Sequence, residues 1–156
     1  MHMRIKNTIH PAKQLPGRVN HQAKENHMAG VSTGIAFDAN LANLKAINPR
    51  DVRSEIPQLL AQGEQVVSAF QTVRDQVIFT NKRVFVVNVQ GITGKKTSYF
   101  SYPYSKVQYF GIETAGVFDI DSELVLAFSD GTRLQFDFKS NVNIREICSM
   151  ISAYTL

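Results

Sequence analysis

The sequence predicts a mainly β domain: about seven antiparallel strands, a short helix before the first of them, and one C-terminal α-helix capping the sheet. Three observations carry this. Val77-Ile-Phe-Thr80 and Val84-Phe-Val-Val87 are two apolar runs, rich in β-branched and aromatic residues, joined by the polar Asn81-Lys82-Arg83. Asp130-Gly131 separates two further apolar runs, the strongest short-range hairpin signal in the chain. Finally, Ile144, Ile147, Cys148, Ile151 and Tyr154 form an apolar stripe at helical spacing.

Each element follows from its own residues. Asn48-Pro49-Arg50-Asp51 reads as a helix start, with Val52, Ile56, Leu59 and Leu60 at helical spacing, Pro57 keeping the helix short or kinked and Gly63 ending it. Gln65–Val73 alternates as a strand. The two runs of the Val77–Gly91 hairpin do not alternate, so both faces of each are expected to be covered. Asn81-Lys82 suits the turn, since Asn tolerates positive φ, and Asn81-Lys82-Arg83 reads as a solvated turn. Tyr99–Tyr104 and Val107–Ile112 are the next strands. Leu124–Phe128 and Arg133–Phe138 close the sheet, with Leu134, Phe136 and Phe138 on one face. Asn143 with Glu146 three residues on is a capping box for the last helix.

The 156 residues suffice for one domain, and 44% hydrophobic with 19% charged residues is a globular composition. No run reaches the ~18 apolar residues of a membrane-spanning helix, and the first residues lack the apolar core of a secretory signal. Residues 1–45 read as a disordered tail, broken by Pro11, Pro16, Gly17, Gly30 and Gly34, so the domain is expected over 46–156. Met28 is a candidate internal start. Most of the net charge of +4 belongs to residues 1–40, where Arg4, Lys6, Lys13, Arg18 and Lys24 stand against only Glu25 and Asp38. The domain is nearly neutral and lacks the basic stripe of a nucleic-acid binder. The lone Cys148 excludes an internal disulfide and fits a cytoplasmic protein.

Chemistry-bearing patterns are sparse. All four histidines (His2, His10, His21 and His27) precede the domain at irregular spacing, so it has neither the usual general base nor the usual zinc ligand. Gly91-Ile-Thr-Gly94-Lys95-Lys96-Thr97 has the wrong spacing for a phosphate loop and runs into a strand rather than a helix. Asp119, Asp121 and Glu123 share one face if extended, but supply too few ligands for calcium and lack a glycine within the loop. No cofactor or metal is expected. Cys148 lies in the helix stripe and reads as a core thiol. The aromatics Tyr99, Phe100, Tyr102, Tyr104, Tyr109, Phe110 and Phe118 have only Lys106 interleaved, which favours packing over base stacking. Because Tyr99 and Phe100 are neighbours, as are Tyr109 and Phe110, each pair points to opposite faces of its strand. The second faces need a cover, from the C-terminal helix or from another subunit.

Leu60-Ala-Gln-Gly-Glu64, Phe70, Arg74-Asp75, Ile78-Phe-Thr-Asn-Lys-Arg83, Gln90-Gly-Ile-Thr-Gly-Lys-Lys96, Ile112-Glu-Thr-Ala-Gly116 and Phe118-Asp-Ile-Asp-Ser-Glu-Leu124 resemble the bacterial pleckstrin-homology (PH) domain family from about Ile56 to the C-terminus. The resemblance implies a PH-like bent β-barrel of two packed sheets with the helix at one open end. It also implies ring-like homo-oligomers. It does not bring phosphoinositide binding, because the loop between the first two expected strands carries Arg74 beside Asp75 and no cation cluster. The expected function is a non-enzymatic interaction or scaffold domain that self-assembles and binds an unidentified partner, itself a protein. Its interface candidates are Lys95, Lys96, Tyr99, Tyr109, Asp119, Asp121 and Glu123. The alternative is a peripheral membrane or anionic-ligand module using Arg74, Lys82, Arg83, Lys95 and Lys96.

Overall fold

The computed structural model describes residues 38–91, 93–114, 121–139 and 142–156. Strands β2 (Val66–Gln71), β3 (Gln76–Thr80), β4 (Arg83–Gln90), β5 (Lys96–Pro103), β6 (Val107–Thr114), β7 (Ser122–Phe128) and β8 (Arg133–Phe138) are the seven expected ones, in the expected places. An eighth precedes them: β1, Asp38–Ile47. The sheet order is β5-β4-β3-β2-β1-β8-β7-β6, so β1 joins two antiparallel halves. Its first residues pair parallel with β8 and its last, Lys45–Ile47, pair antiparallel with β2. The register shifts between Leu41 and Leu44, where Asn43 takes a φ of 61°. Asn visits this left-handed region more readily than most side chains.

Residues 1–37 lie outside the described residues, but the strand runs across the expected boundary between 45 and 46. Its apolar residues, Leu41, Leu44 and Ile47, do not alternate, because the shift at Asn43 changes which positions face inward. Leu44 is fully buried while Lys45 and Ala46 are exposed.

The sheet is curled, so the inner faces of its two halves meet over one core. Phe70, Val77, Phe79, Val84 and Val86 come from one half, and Leu124, Leu126, Phe128, Leu134, Phe136 and Phe138 from the other. Phe70 and Phe138 rings lie 4.7 Å apart and Phe79 meets Phe136 edge-on at 5.5 Å. The α-helix α2 (Ile144–Thr155) turns Ile144, Ile147 and Ile151 into this core, and Cys148 packs against it half-buried. Asn143 caps it, accepting the Glu146 N–H and donating to its carboxylate. Tyr104, in the short turn between β5 and β6, is buried against the helix, its ring 6.0 Å from that of Tyr154.

A second, smaller core forms on the other face of β2–β4. Ala69, Ile78, Phe85 and Val87 close over Ile56, with Ile47, Val52, Leu60 and Tyr99 at its margin. Its roof is the segment where a helix start was expected. Asn48 caps a single 3-10 turn, Pro49–Asp51, by accepting the Arg50 N–H at 2.9 Å, and the helix proper, α1, is only Ile56–Leu59. Both faces of the β3–β4 hairpin are thus covered within the chain, as its non-alternating sequence requires. No helix among the described residues is long and apolar enough to cross a membrane.

Candidate functional site

The β3–β4 turn is half-exposed, with its side chains tied to the loop before β2. Asn81 keeps a negative φ, and its side chain accepts the Gln65 N–H at 2.9 Å and donates to the Gly63 carbonyl at 3.2 Å. Lys82 Nζ donates to the Gln62 carbonyl at 3.0 Å. Arg83 is held most firmly. Its Nε and Nη2 donate to the two oxygens of Glu64 at 2.8 and 2.7 Å, Nη2 also reaches the Leu59 carbonyl, and Nη1 reaches Ser101 Oγ. Its guanidinium also lies 4.5 Å from the Phe85 ring centre. Thr80 Oγ1 donates 2.7 Å to Glu64, which also accepts the Ala61 N–H. Burial by itself raises the Glu64 carboxyl, but donors from Arg83, Ala61 and Thr80 outweigh it and hold the group down at about 2. Lys82 and Arg83 are therefore fasteners of the 59–65 loop.

The five candidate anion contacts do not share one surface. Lys82 and Arg83 stand at the turn end of the β3–β4 hairpin. Arg74, Lys95 and Lys96 stand at its other end, roughly 20 Å away at the rise of an extended strand. There Arg74, from the β2–β3 turn, donates Nη2 to the Gly91 carbonyl at 2.5 Å, while Lys95 and Lys96 are exposed. Beside them lies an open depression of about 480 Å³ whose walls include Arg53, Arg74, Gln71, Gln76 and Thr93.

The interface candidates distribute over both margins of the sheet. Among the described residues β5 pairs only with β4, and β6 only with β7, so each presents an unpaired edge there. Lys96 begins β5 and Lys95 immediately precedes it. Tyr99 faces the smaller core, Phe100 the larger one; Tyr99 packs, half-buried, beside Val52, Ile56 and Leu60 rather than under the C-terminal helix. Burial and the Glu55 carboxylate push the Tyr99 phenol up. On β6, Phe110 packs on the core, yet Tyr109 is 52% exposed and Ile112 48%.

At the far end of β6, Glu113 stands opposite Glu123, and Glu123 opposite Asp137, three carboxylate-bearing residues across three strands. Like charges directly opposed are unfavourable. The Gln135 amide donates to Glu123 and Asp137, 3.2 Å each, and Lys139 pairs with Asp121. Glu113, Asp121, Glu123, Asp137 and Lys139 line a hollow of about 140 Å³. Asp119 lies outside the described residues. Among the described residues no group of three Asp, Glu, His or Cys converges as metal ligands. Glu113, Asp137 and Arg53 were not among the sequence candidates. The alternation of Gln135 and Asp137 on the outward face of β8 could have signalled the second; nothing local marks the other two, whose roles depend on strand register and on chain folding over 20 residues.

Residues 35–155 match the family model described as "Bacterial PH domain". The uncharacterized protein YjqA of Bacillus subtilis strain 168 is 40% identical over 119 residues, covering 75% of this chain and 95% of its own length. Among solved structures, a DUF1696 family protein with a pleckstrin-homology domain from Shewanella loihica PV-4 aligns with a TM-score of 0.61 at 35% identity, over 74% of this chain and 99% of its own. A pleckstrin homology domain from Shewanella amazonensis SB2B aligns with a TM-score of 0.50 at 36% identity, over 70% and 90% respectively.

Proposed function

The chain belongs to the bacterial PH domain family, and on that premise we propose that it is a non-catalytic interaction module that joins copies of itself edge to edge, β5 of one copy against β6 of the next. The observation that supports this reading is the pair of edges left unpaired among the described residues at the two margins of one continuous sheet. A contact between two different surfaces of the same chain repeats head to tail, and closes into a ring when the rotation permits.

Charge supports the register. Antiparallel pairing of Lys96–Pro103 with Val107–Thr114 sets Lys96 of one copy near Glu113 of the next. The exposed Lys95 and Lys96 then meet the Glu113, Glu123 and Asp137 row, whose mutual repulsion a neighbouring cation relieves. Tyr109 and Ile112 supply apolar area along the same edge. Native mass by light scattering tests it: a multimer that Glu113→Lys with Glu123→Lys dissociates supports the reading, and a monomer at every concentration refutes it.

A further inference from the structure

We propose that β1 is a releasable strap: it opens as a unit, hinged at Asn48, while the two halves of the sheet stay joined without it. Although β1 stands in the middle of the sheet order, it is laddered on one side at a time among the described residues. Asp38–Leu41 and Leu44 pair with β8, Lys45–Ile47 pair with β2, and no residue of β1 is registered against both. The pairing with β8 is parallel, the weaker arrangement per residue. A strand at the centre of the sheet is therefore held as an edge strand is.

Its side chains add little. From Leu41 to Ile47 only Leu44 is fully buried; Leu41 and Ile47 are half-buried, and Ala42, Asn43, Lys45 and Ala46 are exposed. Asn43 holds φ at 61°, which costs a residue other than glycine, and release recovers that cost. The main core also holds together independently of the strand. Phe138 and Phe70, registered against Leu44 and Ala46, have ring centres 4.7 Å apart, and Phe79 lies 5.5 Å from Phe136 and 6.3 Å from Phe138. These contacts join β2 and β3 directly to β8. Beyond Ile47 the chain is fastened: Asn48 caps the Pro49–Asp51 turn, and the Gln76 side chain accepts the Arg53 N–H at 3.0 Å. The strand thus has one fixed end and a loosely held length, and its release turns β2 and β8 into open edges.

The test is native-state hydrogen exchange of the full chain, followed residue by residue by NMR. The β1 amides, with the Lys139 N–H that donates to the Leu44 carbonyl at 2.8 Å, are expected to exchange about a hundredfold or more faster than the slowest amides of β3 and β4, yet slower than those of an unstructured peptide. Val86 is fully buried in β4 and separated from β1 by two strands. Val86→Ala should speed the β3 and β4 amides about tenfold or more and leave β1 and Lys139 unchanged, because opening the strap does not expose residue 86. Low urea gives the same separation without a variant: exchange of β3 and β4 rises steeply with urea and that of β1 stays flat, since opening one strand exposes little surface. If β1 and Lys139 exchange as slowly as β3 and β4, and respond with them to urea or to Val86→Ala, the proposal is overturned. It is equally overturned by β1 amides that exchange as fast as an unstructured peptide's.

Discussion

Arg83 and Glu64 are joined by two parallel hydrogen bonds, Nε to Oε1 at 2.8 Å and Nη2 to Oε2 at 2.7 Å, with the carboxylate fully buried beneath the guanidinium. The pair locks the β3–β4 turn to the loop entering β2. Removing one partner leaves the other uncompensated, so Arg83→Ala is expected to cost ~3–5 kcal/mol in chemical denaturation, with the domain's fold class unchanged by circular dichroism.

The same pair sets a pH dependence. The Glu64 carboxyl is held down to about 2, below its ordinary 4.5. A folded-state value below the unfolded one gives stability that is complete above 4.5 and is lost as pH falls from there towards 2. The loss is on the order of 3 kcal/mol. Urea unfolding at a series of pH values should show it in the wild type, and Glu64→Gln should be less stable at neutral pH and flatter across that window.

Tyr104 donates its hydroxyl to the Thr80 carbonyl at 2.8 Å from a fully buried position. Burial, with Glu64 and Tyr154 nearby, drives its phenol far above the ordinary range. Tyr104→Phe is expected to cost ~1 kcal/mol, read as a lower urea midpoint with an unchanged slope.

Asn43 holds a φ of 61° at the shift in β1 where the strand passes from one half of the sheet to the other. Asn43→Gly should be close to neutral, whereas Asn43→Val should cost ~1–2 kcal/mol, because a β-branched residue resists the left-handed region. Thermal unfolding of the two variants, measured side by side, separates backbone strain from lost contacts.

The acidic row implies opposite effects on stability and assembly. Glu123→Gln removes the middle charge between Glu113 and Asp137 while leaving an oxygen to accept from Gln135. The isolated subunit should gain ~0.5 kcal/mol, and the multimer should dissociate at higher protein concentration. Denaturation of dilute protein and sedimentation across concentrations read the two effects independently.

How much of this was legible follows from range. The β3–β4 hairpin, the Asp130-Gly131 turn and the capped C-terminal helix are written in adjacent residues, and each stands where the sequence places it. Strand β1 was not legible: its bulge disrupts the period, and its partners β2 and β8 lie far along the chain. The neighbouring aromatics could not tell which face the chain itself would cover: Tyr99 packs beside the short Ile56 segment, and Tyr109 stays exposed. Arg74 and Asp75, adjacent in sequence, do not pair, and Arg53 joins Arg74 only through the folded position of Gln76. Residue proximity along the chain was a poor guide to charge proximity, because backbone N–H groups compete for the carboxylates.

The most direct measurement is the native mass of the full chain by light scattering over a wide concentration range, for the wild type, for Lys95→Glu with Lys96→Glu, and for Glu113→Lys with Glu123→Lys. The edge-to-edge account expects a defined wild-type multimer, monomers for each charge-reversed protein alone, and recovery of assembly when the two reversed proteins are mixed. A wild-type monomer at all concentrations, or a multimer indifferent to both reversals, would contradict it.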